Sequence, residues 1–167
     1  MVAAPGITSV RIFLSWCHRD QVLVKALLAE LKPALALLAD VAVEWWEDSH
    51  LTCGEEFTPG IVDRLGETDY GLLLLSTQYF SRPFIRKHEL PRFAGPTADK
   101  KSLPVLLNSL PGFGPAWNLR GIERQLVFTR NGRSFAKHSG VDRTLFANEL
   151  ADAIRRRVLG LNRYRGL

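Results

Sequence analysis

The chain has 167 residues, of which 46% are hydrophobic and 23% are charged, and its formal net charge is +5. This length and composition fit one globular domain with its own core and exclude a low-complexity chain. The sequence contains neither a run of about 20 apolar residues that could span a membrane nor the pattern of a secretory signal. Its two cysteines, without CxxC spacing, argue against a disulfide framework, so we expect a reducing cytoplasm.

Charge is unevenly distributed along the chain. Residues 40–69 contain nine acidic residues and one basic residue, whereas residues 143–167 contain six arginines and two acidic residues. Segments of opposite charge can attract each other between molecules. We therefore expect salt-sensitive self-association and do not expect this domain to bind nucleic acid.

Predicted strands and helices alternate after a leader at residues 1–9. The first helix begins beyond the N-cap candidate Asp20, and Pro33 is expected to kink or interrupt it. The second helix has two competing starts, one near residue 52 and one near residue 58. Strands are expected at residues 10–15, 41–46, 70–75, 103–107 and 125–129, and helices at residues 21–39, up to 67, from 81 to 91 or 95, and 143–159. In the last helix, helical spacing predicts an inward face of Leu145, Phe146, Leu150, Ile154 and Val158.

This alternation predicts a parallel sheet with helices on both faces, because parallel neighbours need crossover connections. The leading prediction is an α/β, flavodoxin-like fold with a five-stranded parallel sheet of order 2-1-3-4-5. Ligands in such folds bind beyond the carboxyl ends of the strands, at the switch in order between strands one and three. Three segments converge there, namely residues 15–19, residues 46–49, and the segment from Ser76 to Glu89.

Glu89 interrupts an apolar stripe. The short helix predicted from Ser81 onward places it on one face with Ile85 and Phe93. Two interpretations remain open, an ordinary surface ion pair with an arginine one turn away and a carboxylate that acts in the crevice. The candidate partners for the ion pair are Arg86 and Arg92.

Several protein classes that commonly have this architecture are excluded, because their characteristic residues or motifs are missing from the sequence. A phosphoryl-receiver domain needs an aspartate at the end of strand three, where Ser76 stands. GxGxxG after strand one, a P-loop, GxSxG and HExxH are all missing from the sequence. The histidines at positions 18, 50 and 88 are not arranged as metal ligands, so we expect neither a metal nor a cofactor.

Three segments, RIFLSWCHRD, VEWWEDSHLTCGEEF and DYGLLLLSTQYFSRPFIRKHEL, resemble in order and spacing the Toll/interleukin receptor (TIR) domain of bacteria. The likeness covers residues 10–107. It matches the end of the strand-one box of the family to Ser15 and Trp16, and the catalytic glutamate of its enzymatic branch to Glu89. The loop after strand two, which mediates self-association in the family and borders its substrate pocket, is matched by residues 47–56, including Asp48, Gly54 and Glu55.

The enzymatic branch of this family cleaves the bond between nicotinamide and ribose in NAD+. Nicotinamide leaves as a neutral molecule, so the transition state needs a negative charge beside an oxocarbenium-like ribose and no acid. The resemblance therefore implies NAD+ as substrate and Glu89 as the catalytic residue. The flat indole of a tryptophan suits stacking with a base, and a serine hydroxyl suits a hydrogen bond to ribose or phosphate. The same tryptophans could instead pack in the core or at its edge, and the same serines could cap strand ends. The substrate-binding candidates are Ser15, Trp16, Trp46, Asp48 and Ser76.

Two other functions stay open. The domain could be a non-enzymatic module that recruits other TIR domains, or a cyclase that makes a cyclic ADP-ribose-type signal. The resemblance further implies activation by self-assembly and a role in bacterial antiphage defence. We expect residues 10–160 to form the TIR domain and residues 161–167 to begin a linker to a sensor domain or partner.

Overall fold

A computed structural model describes residues 6–47, 66–83, 85–112 and 116–161. Within these ranges four parallel strands form one sheet of order 2-1-3-4. They are β1 (Thr8–Ser15), β2 (Val41–Glu47), β3 (Tyr70–Leu75) and β4 (Lys101–Leu106). The predicted parallel sheet is confirmed, and β3 has the bounds that its apolar run predicts.

The α-helices with bounds in the described ranges are α1 (Gln21–Ala36), α2 (Thr77–Ser81), α3 (Leu90–Phe93) and α4 (Val141–Leu159), with a π-helical turn at Ile85–Glu89 directly before α3. Short 3-10 helices lie at His18–Asp20, Ile122–Arg124 and Phe135–Lys137. Of the predicted second helix, the structure describes only residues 66 and 67. None of the described helices is both long and apolar enough to cross a membrane.

The sheet separates two hydrophobic clusters. Ile12 and Leu14 of β1 pack with α1 and α4 on one face, whereas Phe13 packs with the π turn and α3 on the other. Successive strand residues point to opposite faces, and every residue of β3 is buried. The prediction of helices on both faces is therefore confirmed.

The fifth predicted strand is wrong as an extended element, since residues 125–129 contribute one bridge, between Phe128 and Val105 of β4. At this bridge the Phe128 N–H donates to the Pro104 carbonyl at 2.8 Å, and the Leu106 N–H donates to the Phe128 carbonyl at 3.0 Å. The next rung would need an N–H at position 104, which proline lacks. A turn around residues 130–133 follows at once, so the ladder ends in both directions.

Parts of two predictions about helices are wrong. Pro33 lies inside α1 and does not interrupt it, so the interruption is excluded, although the predicted kink is not tested. It is exposed, as is Ala29 four residues before it, so water can bond to the carbonyl that the proline leaves without a donor. Leu145 of α4 does not face inward but is 38% exposed, whereas Phe146, Leu150 and Ile154 are fully buried. Those three lie four residues apart, and Leu145 is rotated about 100° from their line.

Candidate functional site

The carboxyl ends of β1 and β3 lie side by side where the strand order switches. Ser15 ends β1 and is paired with Leu73 of β3 in the parallel register. Ser76 follows β3 and caps α2, since its Oγ accepts the Tyr79 N–H at 3.0 Å. Both serines are buried. The predicted crevice therefore begins at two serine hydroxyls that are held by strand ends.

The segment after Ser76 is not the turn and short helix from Ser81 that the sequence predicts. Helix α2 ends at Ser81. The next residue, Arg82, has an extended backbone (φ −81°, ψ 119°), because a residue before a proline avoids the helical region. Ser81 does not begin a helix, and its hydroxyl donates to the Gln78 carbonyl at 2.9 Å. Pro91 does not end one either, since it lies in the first turn of α3.

The π-helical turn and α3 direct one face of this segment into the core. Ile85, Glu89 and Phe93 are 1%, 6% and 1% exposed, so the predicted shared face is confirmed as buried. Phe93 lies against Gly71 of β3, where a Cβ atom would come within 2.5 Å of the ring. The missing side chain at Gly71 thus lets α3 pack closely on the sheet and fixes the height of Glu89 above it.

Glu89 reaches the end of β1. Its Oε2 accepts the Ser15 hydroxyl at 2.9 Å, and the Ser15 Oγ lies 2.8 Å from the hydroxyl of Tyr79. Serine has one hydroxyl proton, so donation to the carboxylate requires Ser15 to accept from Tyr79. The order of donation is therefore Tyr79 to Ser15 to Glu89, and all three side chains are buried.

Tyr79 is kept protonated by its surroundings. Burial raises the pKa of the Tyr79 phenol strongly, and the negative charge of Glu89 raises it further, while the Ser15 hydrogen bond acts in the opposite direction. A phenol in this state is a permanent donor across the physiological range. It therefore fixes the orientation of the Ser15 hydroxyl toward Glu89.

The two arginines that spacing offers to Glu89 have other surroundings. Arg92 binds Asp99 through two hydrogen bonds of 2.8 and 2.9 Å. Arg86 makes no ion pair with a described carboxylate, and its Nε is buried without a hydrogen-bond partner in the described part of the chain. Glu89 is a buried carboxylate whose Oε2 accepts a hydrogen bond from the Ser15 hydroxyl, so it does not lie on the surface as the first interpretation requires.

A second carboxylate lies beside the same strand ends. Asp20 is 7% exposed and accepts a short hydrogen bond from the Ser76 hydroxyl. Burial raises the pKa of Asp20, and the bond from Ser76 lowers it in part. Asp20 precedes α1 as the sequence predicts, but its side chain does not cap that helix. It joins the start of α1 to the end of β3.

The two candidate tryptophans lie on opposite faces of the sheet. Trp46 packs at the edge of the cluster on the Glu89 side, donates its Nε1 proton to Glu44 at 3.1 Å and has Arg11 above its ring. Trp16 packs at the edge of the other cluster, where its ring stacks with His18 at 6.0 Å between centroids. The structure therefore places Trp46, and not Trp16, on the face that carries Glu89.

The remaining candidates, Asp48, Gly54 and Glu55, lie outside the described residues, as does most of the assembly loop. The described clefts do not include Glu89 or Ser15 in their lining. Three or more histidine, cysteine, aspartate or glutamate side chains do not come together as a metal site anywhere in residues 6–47, 66–83, 85–112 or 116–161.

The sequence reasoning missed one member of the cluster, Tyr79. Its signal was available, since a serine that caps a helix receives the N–H of the residue three positions later, which is Tyr79. That position follows a buried strand at the switch point, so a hydroxyl-bearing aromatic there could have been named as a partner of Ser15.

Models of known protein families give no match to this chain, and a search of curated proteins gives none either.

Proposed function

We propose that the chain is an NAD+ glycohydrolase of the TIR type, with Glu89 as the catalytic residue. The observation that carries the proposal is the 2.9 Å hydrogen bond from Ser15 to Glu89, at the carboxyl ends of two parallel strands where their order switches. A carboxylate held at this place by a serine hydroxyl can supply negative charge to a ligand. The TIR resemblance of residues 10–107 names the ligand class.

In the proposed reaction the bond between ribose C1′ and the nicotinamide nitrogen breaks, and its electron pair leaves with neutral nicotinamide. The positive charge that develops on the ribose is stabilised by the Glu89 carboxylate. Water then adds to C1′ and loses a proton, which gives ADP-ribose. Ser15 holds the carboxylate in place, and Tyr79 holds Ser15, so the negative charge does not need to reorganise during the reaction.

Burial sets a condition on this reaction. Glu89 exposes 6% of its surface, and Ser15 and Tyr79 expose none. A ribose can therefore meet the carboxylate only when groups around it move or when a neighbouring molecule reshapes the opening. For this reason we propose activation by self-association, and we expect turnover per molecule to rise with protein concentration.

The fold supports the same proposal at a coarser level. Strand order 2-1-3-4, continued by the single bridge at Phe128, fits a flavodoxin-like sheet whose fifth position is barely occupied. The proposal includes a cytoplasmic effector of bacterial antiphage defence that depletes NAD+, with a sensor supplied by a further domain or a partner.

The decisive experiment compares Glu89→Gln with Glu30→Gln, an exposed glutamate of α1 that serves as matched control. Nicotinamide release from NAD+ is measured by chromatography over a range of protein concentrations. Loss of the negative charge should lower turnover by a factor on the order of 100 to 1,000, whereas Glu30→Gln should match the wild type.

Equal nicotinamide release by wild type and Glu89→Gln would overturn the assignment of Glu89. Self-association without any turnover would favour the assembly module. The same chromatograms separate ADP-ribose from a cyclic product, and thereby hydrolysis from cyclisation.

A further inference from the structure

A basic cleft lies on the flank of the segment that carries Glu89. It has a volume of about 730 Å³ and is bounded by the π turn, the end of α3 and the loop at residues 118–125. Three arginines line it, Arg86, Arg120 and Arg124, against one acidic residue, Glu123. The Glu123 carboxylate accepts the backbone N–H of Gly121 at 3.1 Å, so part of its capacity is used within the loop.

These arginines differ from half of the ten others that the structure describes. Five of those ten form ion pairs with carboxylates, namely Arg11, Arg92, Arg130, Arg155 and Arg156. The three cleft arginines form none with the described residues, and the Arg86 Nε is in addition buried without a hydrogen bond there. A buried guanidinium N–H without an acceptor is costly, so an acceptor on a ligand would be favourable here. The Nε atoms of Arg130 and Arg157 also lack a hydrogen bond among the described residues, but those two arginines do not line this cleft.

The frame of the cleft is held by buried side chains, close backbone packing and a hydrogen bond. Leu119 and Ile122 are buried on either side of Arg120 and anchor the loop in the core. At Gly121 a Cβ atom would lie 2.6 Å from the Gly95 nitrogen, so the loop backbone packs directly on the end of α3. The Gln125 side chain adds a hydrogen bond of 3.2 Å to the Phe93 carbonyl. A cleft held in this way needs little reorganisation when a ligand enters.

Backbone strain points to the same loop. Arg120 has a φ of +58°, a conformation that side-chain-bearing residues rarely adopt. The Asn118 side chain stabilises it by accepting the Arg120 N–H at 3.1 Å. Strain of this kind persists where the surrounding structure enforces it and clusters at ligand-binding sites. Here the loop holds an arginine beside two others.

We infer that this cleft binds the phosphate of a small phosphorylated molecule, with Arg86 as the central contact. Three guanidinium groups around one space suit a group with more than one negative charge, and the fork of arginine matches phosphate oxygens. The volume falls in the range of small-molecule sites. Arg86 and Glu89 belong to the same π turn, so a phosphate in the cleft would lie on the element that carries Glu89.

Such a phosphate has two possible sources. It belongs either to the diphosphate of the dinucleotide proposed as substrate or to a separate nucleotide that acts as an effector. The inference itself does not depend on the proposed activity, because the binding of a phosphate can be measured without turnover.

The test is calorimetric titration with inorganic pyrophosphate at about 0.15 M salt, where weak surface attraction is screened. Wild type should bind, and Arg86→Gln and Arg124→Gln should each weaken binding about tenfold or more, because each removes a charge-assisted contact. Arg133→Gln, an exposed arginine without an ion pair among the described residues, is the matched control and should bind like wild type. Should Arg86→Gln fail to fold, the exposed Arg124 decides the test.

NAD+ added to the Glu89→Gln protein separates the two sources. Competition with pyrophosphate assigns the cleft to the substrate diphosphate, and independent binding assigns it to a separate nucleotide. Failure of the wild type to bind pyrophosphate at millimolar concentration, or equal weakening by Arg133→Gln, would overturn the inference. A third contrary outcome is that Arg86→Gln loses self-association while no protein binds pyrophosphate. The cleft would then bind an acidic segment of another molecule.

Discussion

Two carboxylates are buried beside neighbouring strand ends, and they are held differently. Both Asp20 and Glu89 receive a serine hydroxyl, and both are less than a tenth exposed. Ser76, which serves Asp20, also caps α2, so its oxygen stabilises the backbone as well. Ser15, which serves Glu89, is bonded instead to the side chain of Tyr79. A buried carboxylate is therefore not by itself a sign of function. The second hydrogen bond of the serine that binds it must also be considered.

This comparison assigns separate consequences to the two pairs. The Asp20–Ser76 pair joins α1, β3 and α2, so its loss should appear mainly in stability. The hydrogen bonds described for the Glu89–Ser15–Tyr79 cluster join side chains and orient a charge, so its loss should appear mainly in activity. Three changes break or sharpen this distinction.

The largest effect on stability is expected for Ser76→Ala. It removes the cap, which is worth about 1 kcal/mol, and leaves the buried Asp20 carboxyl without its donor, at a further cost of about 1–3 kcal/mol. Urea unfolding should show both losses in the free energy of unfolding. Ser81→Ala, at the other end of α2, is the control and should cost less than about 0.5 kcal/mol. If the two variants unfold alike, the Asp20–Ser76 pair does not join these elements.

An intermediate effect is expected for Tyr79→Phe, which removes one hydroxyl and keeps the ring. The free energy of unfolding should fall by about 1 kcal/mol, and NAD+ turnover should fall about tenfold because Ser15 loses the donor that orients it. Tyr70→Phe, a buried tyrosine at the start of β3, is the matched control for stability and should leave turnover unchanged. An equal fall in turnover for both variants would remove Tyr79 from the site.

The smallest effect is the pH dependence of stability in Asp20→Asn. Burial raises the pKa of Asp20, so between its usual value near 3.9 and its folded value the folded state holds more protons than the unfolded chain. The contribution of Asp20 to stability therefore falls as pH rises through this window. Asparagine does not titrate, so Asp20→Asn should gain stability relative to wild type from pH 3 to 7.

Asp99→Asn provides a control of opposite sign. Its hydrogen bond to Arg92 lowers the pKa of Asp99, so that carboxyl stabilises the fold above its usual pKa and loses this contribution as pH falls. Relative to wild type, Asp99→Asn should lose stability as pH rises. Urea unfolding at a series of pH values measures both slopes, and parallel curves for the two variants would contradict the opposite pKa shifts.

The sequence predicts the sheet and the meeting of Ser15 with Glu89 because both depend on simple periodicities. A buried parallel strand is a continuous apolar run, and the carboxyl ends of parallel strands meet at one edge. The fifth strand could not be rejected by pattern, since its failure depends on a missing N–H in a different strand, at Pro104. Tyr79 was missed because the sequence predicts a helix only from Ser81 onward, whereas Tyr79 lies in α2, which precedes Arg82.

Because of the π-helical turn at Ile85–Glu89, the orientation of Glu89 depends on the number of residues between Ser76 and Phe93. An α-helix rotates each residue by about 100°, and a π turn accommodates one extra residue before the helix resumes. Deleting a single exposed residue such as Lys87 would change the angular phase of the carboxylate relative to Phe93, although its chemistry would be untouched. The direction of the Glu89 side chain thus depends on the number of residues in this segment as well as on their types. Insertions or deletions here are therefore more damaging than most substitutions.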